Sequence, residues 1–172
     1  MKYPGQLSYG ANNKVIALNE FEAAKIYEDD TRSDIGSEAE KMKFANAVNS
    51  LVVKFLRLDI DKVNNSDMLV MERLYPIDFR SMEVEKREVI FSVFEDELIQ
   101  LHKAGFVHRD LKRPSNISGE TFDNIFLTDK GIRLIDVGIS ALRKQVGDPL
   151  FKKFVEKEIE ELNLFKVYFL SR

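Results

Sequence analysis

The chain contains no cysteine and only two histidines among its 172 residues. The absence of cysteine excludes disulfide bonds, thiolate catalysis and metal centres with cysteine ligands. The two histidines, His102 and His108, are too few for a zinc centre of the usual histidine-rich kind. Disulfide-stabilised folds, thiol enzymes and the common zinc sites are thus excluded.

Long apolar runs are also lacking. No segment reaches transmembrane length, and the amino terminus has no apolar core of a signal peptide. The formal charge of −3 provides no reason to expect binding to nucleic acid or to an anionic membrane. We therefore expect a cytoplasmic protein without nucleic-acid or membrane partners. The alternative is a secreted effector that acts in another cell.

The composition is that of a globular protein, with 44% hydrophobic and 32% charged residues. A chain of 172 residues suits one domain with a substantial core, or two small lobes that share a cleft. No internal repeat or low-complexity segment interrupts it.

Three short motifs follow one another in the second half of the chain. His108-Arg109-Asp110-Leu111-Lys112 comes first, Asn124-Ile125-Phe126-Leu127 second and Leu134-Ile135-Asp136-Val137-Gly138 third. In this order they resemble the catalytic core of the protein kinase superfamily, with its HRD loop, its Asn-containing segment and its DFG motif. Phosphoryl transfer needs these residue types: one carboxylate accepts a proton from the attacking hydroxyl, while a carboxamide and a second carboxylate hold Mg²⁺ against the nucleotide phosphates.

This resemblance implies a role for each matching residue. Asp110 is the expected catalytic base, and Lys112 is expected to neutralise charge on the transferred group. Asn124 and Asp136 are the expected Mg²⁺ ligands, so ATP and Mg²⁺ are the expected cofactors. His108 and Arg109 are expected to support the loop. A lysine two residues after the catalytic aspartate is the arrangement of serine/threonine kinases, which favours a protein substrate.

Further matches lie upstream. The segment 8–15 resembles the Gly-rich loop that covers the phosphates, with only Gly10 of its glycines retained and Val15 at the position of the family's valine. Ala23-Ala24-Lys25-Ile26 resembles the V-A-I-K strand, which makes Lys25 the expected phosphate-binding lysine. By the same resemblance Met71 is the gatekeeper, and the backbone of Glu72 and Leu74 faces the adenine.

A glutamate on the next helix should orient Lys25 through an ion pair. The segment 33–49 is predicted to be that helix, and Glu38 and Glu40 are both candidates. The spacing to Phe44 and Ala47 favours Glu40.

Other elements follow from local patterns. Two strands are predicted at 51–58 and 68–72, because both are rich in apolar and β-branched residues. The segment 84–104 has a wide apolar face and ends at Gly105, which predicts a long helix. A last amphipathic helix is predicted from about 147 to 169, and its apolar face is expected to pack on the rest of the protein. That face consists of Phe151, Phe154, Val155, Ile159, Leu162, Phe165 and Phe169.

The departures from the family pattern concern three regions. Residues 113–123 form an insertion, and within it Asn116 competes with Asn124 as the metal ligand. Asn124 is favoured because it opens two short strands around an Asp-Lys-Gly turn that lead directly to Asp136. Val137 replaces the phenylalanine of DFG, which should preserve metal binding but weaken the packing switch. Only 34 residues follow Gly138, and they contain no A-P-E motif.

We therefore expect an α+β protein with a compact, two-lobed, protein-kinase-like fold and a reduced carboxy-terminal lobe. Residues 1–172 form a single domain, with a small lobe at 1–74 and a helical lobe at 75–172. The expected activity moves the γ-phosphoryl group of ATP to a hydroxyl, most naturally of a protein serine or threonine, in a monomer or weak oligomer. A small-molecule kinase and an inactive kinase-fold binding module are the alternatives.

Overall fold

The computed structural model describes residues 5–9, 13–28, 34–113 and 121–171. Gly10 and Asn116, two of the residues considered above, lie outside these ranges. The described residues form a mixed α+β structure.

The amino-terminal part is an antiparallel sheet of five strands with one helix. The strands are β1 (Gly5–Tyr9), β2 (Asn13–Ala17), β3 (Glu22–Tyr27), β4 (Phe55–Asp61) and β5 (Ser66–Glu72), in the order β1-β2-β3-β5-β4. Helix α1 (Ile35–Val48) follows β3. The Asp34 side chain caps it by accepting a hydrogen bond from the Ser37 amide at 3.0 Å. The predicted helix at 33–49 is confirmed.

The carboxy-terminal part is mainly helical. It contains α2 (Val84–Ala104), α3 (Arg143–Val146) and α4 (Asp148–Phe169), with a 3₁₀ turn at Phe79–Ser81 before α2. Two small antiparallel pairs accompany the helices: β6 (Phe106–Val107) with β9 (Ala141–Leu142), and β7 (Ile125–Thr128) with β8 (Gly131–Leu134). Helix α2 ends at Gly105, whose φ of 105° lies in the left-handed region that favours glycine.

The predicted strand at 51–58 is partly wrong, because β4 begins only at Phe55. The residues before it pair with β8 instead: Val53 N–H donates to the Leu134 carbonyl at 2.9 Å, and Leu134 N–H donates to the Leu51 carbonyl at 2.7 Å. These two hydrogen bonds connect the residues before β4 to β8, the strand that leads into Asp136.

One large core joins the two parts. It includes Leu69 of the sheet, Met42 of α1, Phe94 of α2 and Phe165 of α4, all of them buried. The prediction that the last helix packs on the protein is confirmed, because Leu162, Phe165 and Phe169 belong to this core. No helix in the described ranges is long and apolar enough to cross a membrane.

Candidate active site

Lys25 lies in the middle of the sheet, on a strand whose last five residues are all buried. Its Nζ atom contacts both carboxylate oxygens of Glu38 on α1, at 2.9 and 3.1 Å. Both side chains are buried, and a buried charge is tolerated only when it is paired. The ring of Tyr27 adds a cation–π contact 5.6 Å from Nζ. The lysine is thus held in one position.

The expectation that Glu40 pairs with Lys25 is wrong. Glu40 lies on the exposed side of α1, where its carboxylate is 3.2 Å from Lys144 Nζ. Successive helix residues are about 100° apart, so residues 38 and 40 point in nearly opposite directions and only one can face the sheet. The packing of α1 on the core selects Glu38.

Asp136 is the second carboxylate near Lys25. Its Oδ1 atom lies 3.5 Å from Lys25 Nζ and accepts a hydrogen bond from the Gly138 amide at 3.1 Å. Partial burial raises the pKa of Asp136, but the charge of Lys25 and the Gly138 N–H outweigh it, so the pKa lies below its ordinary value. Asp136 is therefore ionised at neutral pH.

The backbone at Asp136 has an unusual φ of 57°. Gly138, two residues later, has no side chain, and this allows the chain to approach α1 closely. A Cβ atom on Gly138 would lie 3.2 Å from Asp136 Oδ1 and 3.3 Å from Glu38 Oε1. Lys41 of α1 also donates to the Gly138 carbonyl at 3.2 Å. Non-glycine residues with positive φ are often found at functional sites, where surrounding contacts maintain them.

Asp110 and Asn124 form the other half of the site. Asn124 Nδ2 donates to the Asp110 carbonyl and to Asp110 Oδ2, both at 3.0 Å. Burial raises the pKa of the Asp110 carboxyl, and the negative charge of Asp136 acts in the same direction. A carboxylate with a raised pKa is a stronger base than an ordinary aspartate.

His108 connects these two halves and is fully buried. Its Nε2 donates to the Ile135 carbonyl at 2.8 Å, and its Nδ1 accepts from the Asp110 amide at 3.2 Å. Because one ring nitrogen donates and the other accepts, the hydrogen bonds are those of a neutral imidazole. His108 thus links the loop that carries Asp110 to the residue before Asp136, consistent with the supporting role expected for it.

Sequence reasoning missed Glu158, which lies on α4 and is fully buried. Its carboxylate accepts hydrogen bonds from the amides of His108 at 3.2 Å and Arg109 at 2.7 Å, and contacts His102 Nε2 at 2.6 Å. One turn further along, Glu161 accepts a hydrogen bond from the Lys112 backbone. Two glutamates of α4 therefore hold the backbone of the loop around Asp110.

A signal for Glu158 was present in the sequence. The residue stands four positions after Phe154 and four before Leu162, so it lies on the apolar face of its helix rather than on the charged face. A carboxylate at such a position must be paired when the helix packs.

The insertion at 113–123 is closed at its base. Arg113 N–H donates to the Thr121 carbonyl at 2.7 Å, and the Arg113 guanidinium pairs with Asp123. Phe122 packs against the ring of Phe165 on α4. The closed base brings Asn124 beside Asp110, while Asn116 lies outside the described residues.

Two of the residues expected to surround a nucleotide, Val15 and Met71, lie on the same sheet as Lys25. Val15 is directly opposite Lys25 on β2, and Met71 is on the same face of the sheet. Leu74 is half-buried against the core. The Glu72 side chain has a structural contact, because it pairs with Arg133 of β8. Lys112, two residues after Asp110, is half-buried.

The donor set fits a divalent cation bound together with phosphates. The described residues contain no group of three or more Asp, Glu or His side chains that could enclose a metal ion. Mg²⁺, however, is usually bound by one or two carboxylates plus substrate phosphates and water. Asp136 supplies a carboxylate and Asn124 a carboxamide. Because the Nδ2 atom of Asn124 donates to Asp110, the carboxamide oxygen of Asn124 is the atom that can bind a cation.

No protein-family model matches this sequence, and no curated protein is significantly similar to it.

Proposed function

We propose that this chain is an ATP- and Mg²⁺-dependent phosphotransferase of the protein kinase type, which moves the γ-phosphoryl group of ATP to a hydroxyl. The observation that carries the proposal is the convergence of two pairs: Lys25–Glu38 with Asp136 beside it, and Asp110–Asn124. The first pair has the charges that bind phosphates, and the second has a base with an adjacent amide. The proposed fold is the two-lobed kinase fold, with the sheet and α1 as the small lobe.

Each residue has a limited task in this proposal. Lys25, held by Glu38, binds the phosphates of the nucleotide through its positive charge. Asp110 accepts the proton of the attacking hydroxyl, and its raised pKa suits that task. Lys112, two residues further on, neutralises charge that develops on the transferred group. Val15, Met71 and the backbone of Glu72 and Leu74 surround the adenine.

Asp136 and Asn124 are the residues that would hold Mg²⁺. A cation held there would supply positive charge that offsets the charge of the nucleotide phosphates. The low pKa of Asp136 keeps its carboxylate available at neutral pH. The hydrogen bond from Asn124 to Asp110 orients the base and directs the carboxamide oxygen away from it.

The acceptor class that we propose is a protein serine or threonine. It is supported by Lys112, whose backbone is held by Glu161 and whose position follows Asp110 by two residues.

The experiment that tests the proposal uses γ-labelled ATP and Mg²⁺ with the protein alone and with a cell lysate. Label should enter serine or threonine of protein, and the isosteric Asp110→Asn variant should transfer almost none. ATP with Mg²⁺ should also raise the melting temperature of both proteins, and EDTA should reverse most of that gain. If label is found only in small molecules, the acceptor is a small molecule and not a protein. Nucleotide binding without transfer by the wild type would show a binding module instead, and no binding at all would refute the site.

A further inference from the structure

We propose that Lys41 is a positioning residue, which holds the backbone of Gly138 and, through it, the carboxylate of Asp136 at a fixed place beside α1. The role goes beyond the proposed function, which gives Lys41 no task. It also rests on that function, because Asp136 is taken as a Mg²⁺ ligand. Lys41 acts through Asp136 and has no contact of its own with the reacting groups.

Lys41 is a buried cation on the inner side of α1. It is 9% exposed and stands three residues after Glu38, so the two side chains lie on the same face of the helix. Burial lowers the pKa of Lys41 below its ordinary value, although the carboxylate of Glu38 acts in the opposite direction. A lysine is seldom buried unless it is paired, so its hydrogen-bond partner indicates what the position is for.

The partner of Lys41 is a backbone carbonyl near the site. Its Nζ atom donates to the Gly138 carbonyl at 3.2 Å, although the two residues are 97 positions apart in the chain. The amide of the same glycine donates to Asp136 Oδ1 at 3.1 Å. The two backbone groups of Gly138 therefore connect the Lys41 side chain to the Asp136 carboxylate.

These contacts close a ring that begins and ends on α1. Glu38 contacts Lys25 at 2.9 Å, and Lys25 Nζ lies 3.5 Å from Asp136 Oδ1. The same oxygen accepts from the Gly138 amide, and the Gly138 carbonyl accepts from Lys41. Because Glu38 and Lys41 are one turn apart on one helix, the position of α1 sets the place of Lys25 and of Asp136 together.

Asp136 needs such support because burial does not fix it. Its side chain is 47% exposed, and its φ of 57° is a conformation that surrounding contacts must maintain. On one side, Arg109 donates to the Ile139 carbonyl at 3.1 Å and holds the segment to the loop around Asp110. Lys41 provides the corresponding contact from α1.

The test compares Lys41→Met with Lys43→Met. Methionine has a chain of similar length without the charge or the N–H donors, and Lys43 is an exposed residue of the same helix. In Lys41→Met the Mg²⁺ concentration for half-maximal label transfer should rise by roughly tenfold, because a metal ligand without its support binds more weakly. The KM for ATP at saturating Mg²⁺ should change less, since the Lys25–Glu38 pair remains. Lys43→Met should match the wild type.

A second readout needs neither nucleotide nor metal. The Gly138 amide should exchange with deuterium about fivefold faster in Lys41→Met than in the wild type, because the loss of one hydrogen bond loosens the turn that holds this amide against Asp136. Lys43→Met should leave the exchange unchanged. Lys41→Arg keeps a positively charged donor and should lie closer to the wild type than Lys41→Met on both readouts.

The two readouts separate this role from the proposed function. Unchanged exchange of the Gly138 amide in Lys41→Met would overturn the proposal, whatever the activity. Faster exchange with an unaltered Mg²⁺ requirement would overturn it too, because Lys41 would then support the backbone alone. If the wild type transfers no label, the proposed function fails, while faster exchange in Lys41→Met would still support the link from Lys41 to Asp136.

Discussion

The Glu158 carboxylate and the Arg109 amide are 2.7 Å apart, although 49 residues separate them in the chain. Arg109 has a φ of 73°, a conformation that non-glycine residues rarely adopt. The same carboxylate accepts from His108, the residue before it. A helix near the carboxyl terminus therefore holds the loop in the shape that presents Asp110.

This contact leads to a prediction about Glu158. Glu158→Gln should lower the free energy of unfolding by about 2–3 kcal/mol, because the glutamine amide nitrogen replaces one carboxylate oxygen and cannot accept from the donors that this oxygen serves. It should also lower kcat while the KM for ATP changes little, since Lys25, to which we assign phosphate binding, is on the sheet. Denaturant unfolding and steady-state kinetics measure the two effects.

Glu156→Gln is the control for that variant, because Glu156 lies two residues earlier on the same helix and is exposed. Its stability should change by no more than about 0.5 kcal/mol. Equal losses in the two variants, or a destabilised Glu158→Gln protein with normal kcat, would contradict the positioning role.

A second prediction compares the two glutamates of α1. Glu38→Gln should reduce kcat/KM by about 100-fold, because Lys25 loses the ion pair that holds it in place. Glu40→Gln should change activity little and stability by less than about 1 kcal/mol, since its pair with Lys144 is at the surface. Assays of both variants under the same conditions decide the matter, and a larger defect in Glu40→Gln would reverse the assignment.

A third prediction concerns stability and pH. The pKa of Asp110 is raised in the folded protein, so its ionised carboxylate opposes folding at neutral pH. Asp110→Asn should therefore raise the melting temperature at neutral pH while it nearly abolishes turnover. The gain should shrink as the pH falls through the folded pKa, and it should vanish below the unfolded pKa of about 3.9. Thermal unfolding at several pH values measures it, and a lower melting temperature at neutral pH would show that the charged form is structurally required.

A fourth prediction concerns the two asparagines. Asn124→Ala should lower turnover by orders of magnitude and raise the Mg²⁺ concentration needed for half-maximal rate, because the proposed oxygen ligand and the hydrogen bond to Asp110 are both lost. Asn116→Ala should leave the Mg²⁺ dependence near that of the wild type. Magnesium titrations of both variants test this. The opposite pattern would assign the metal ligand to Asn116 of the insertion.

Much of the fold was predictable because its signals are local. The apolar periodicity and Gly105 define the end of α2, and the Asp-Lys-Gly turn defines the β7–β8 hairpin. The residue types of the motifs also singled out Lys25, Asp110, Asn124 and Asp136, and the structure brings Lys25 to Asp136 and Asn124 to Asp110. These inferences needed only neighbouring residues and the chemistry that their side chains allow.

Tertiary packing decided the remainder, because the decisive partners are distant in the chain. Glu38 and Glu40 are both helix glutamates, and only the face of α1 that contacts the sheet distinguishes them. Leu51 and Val53 have the composition of a strand, yet they pair with β8 and leave β4 to begin at Phe55. The sequence by itself determined which chemical groups the protein possesses, whereas long-range packing determined which of them meet.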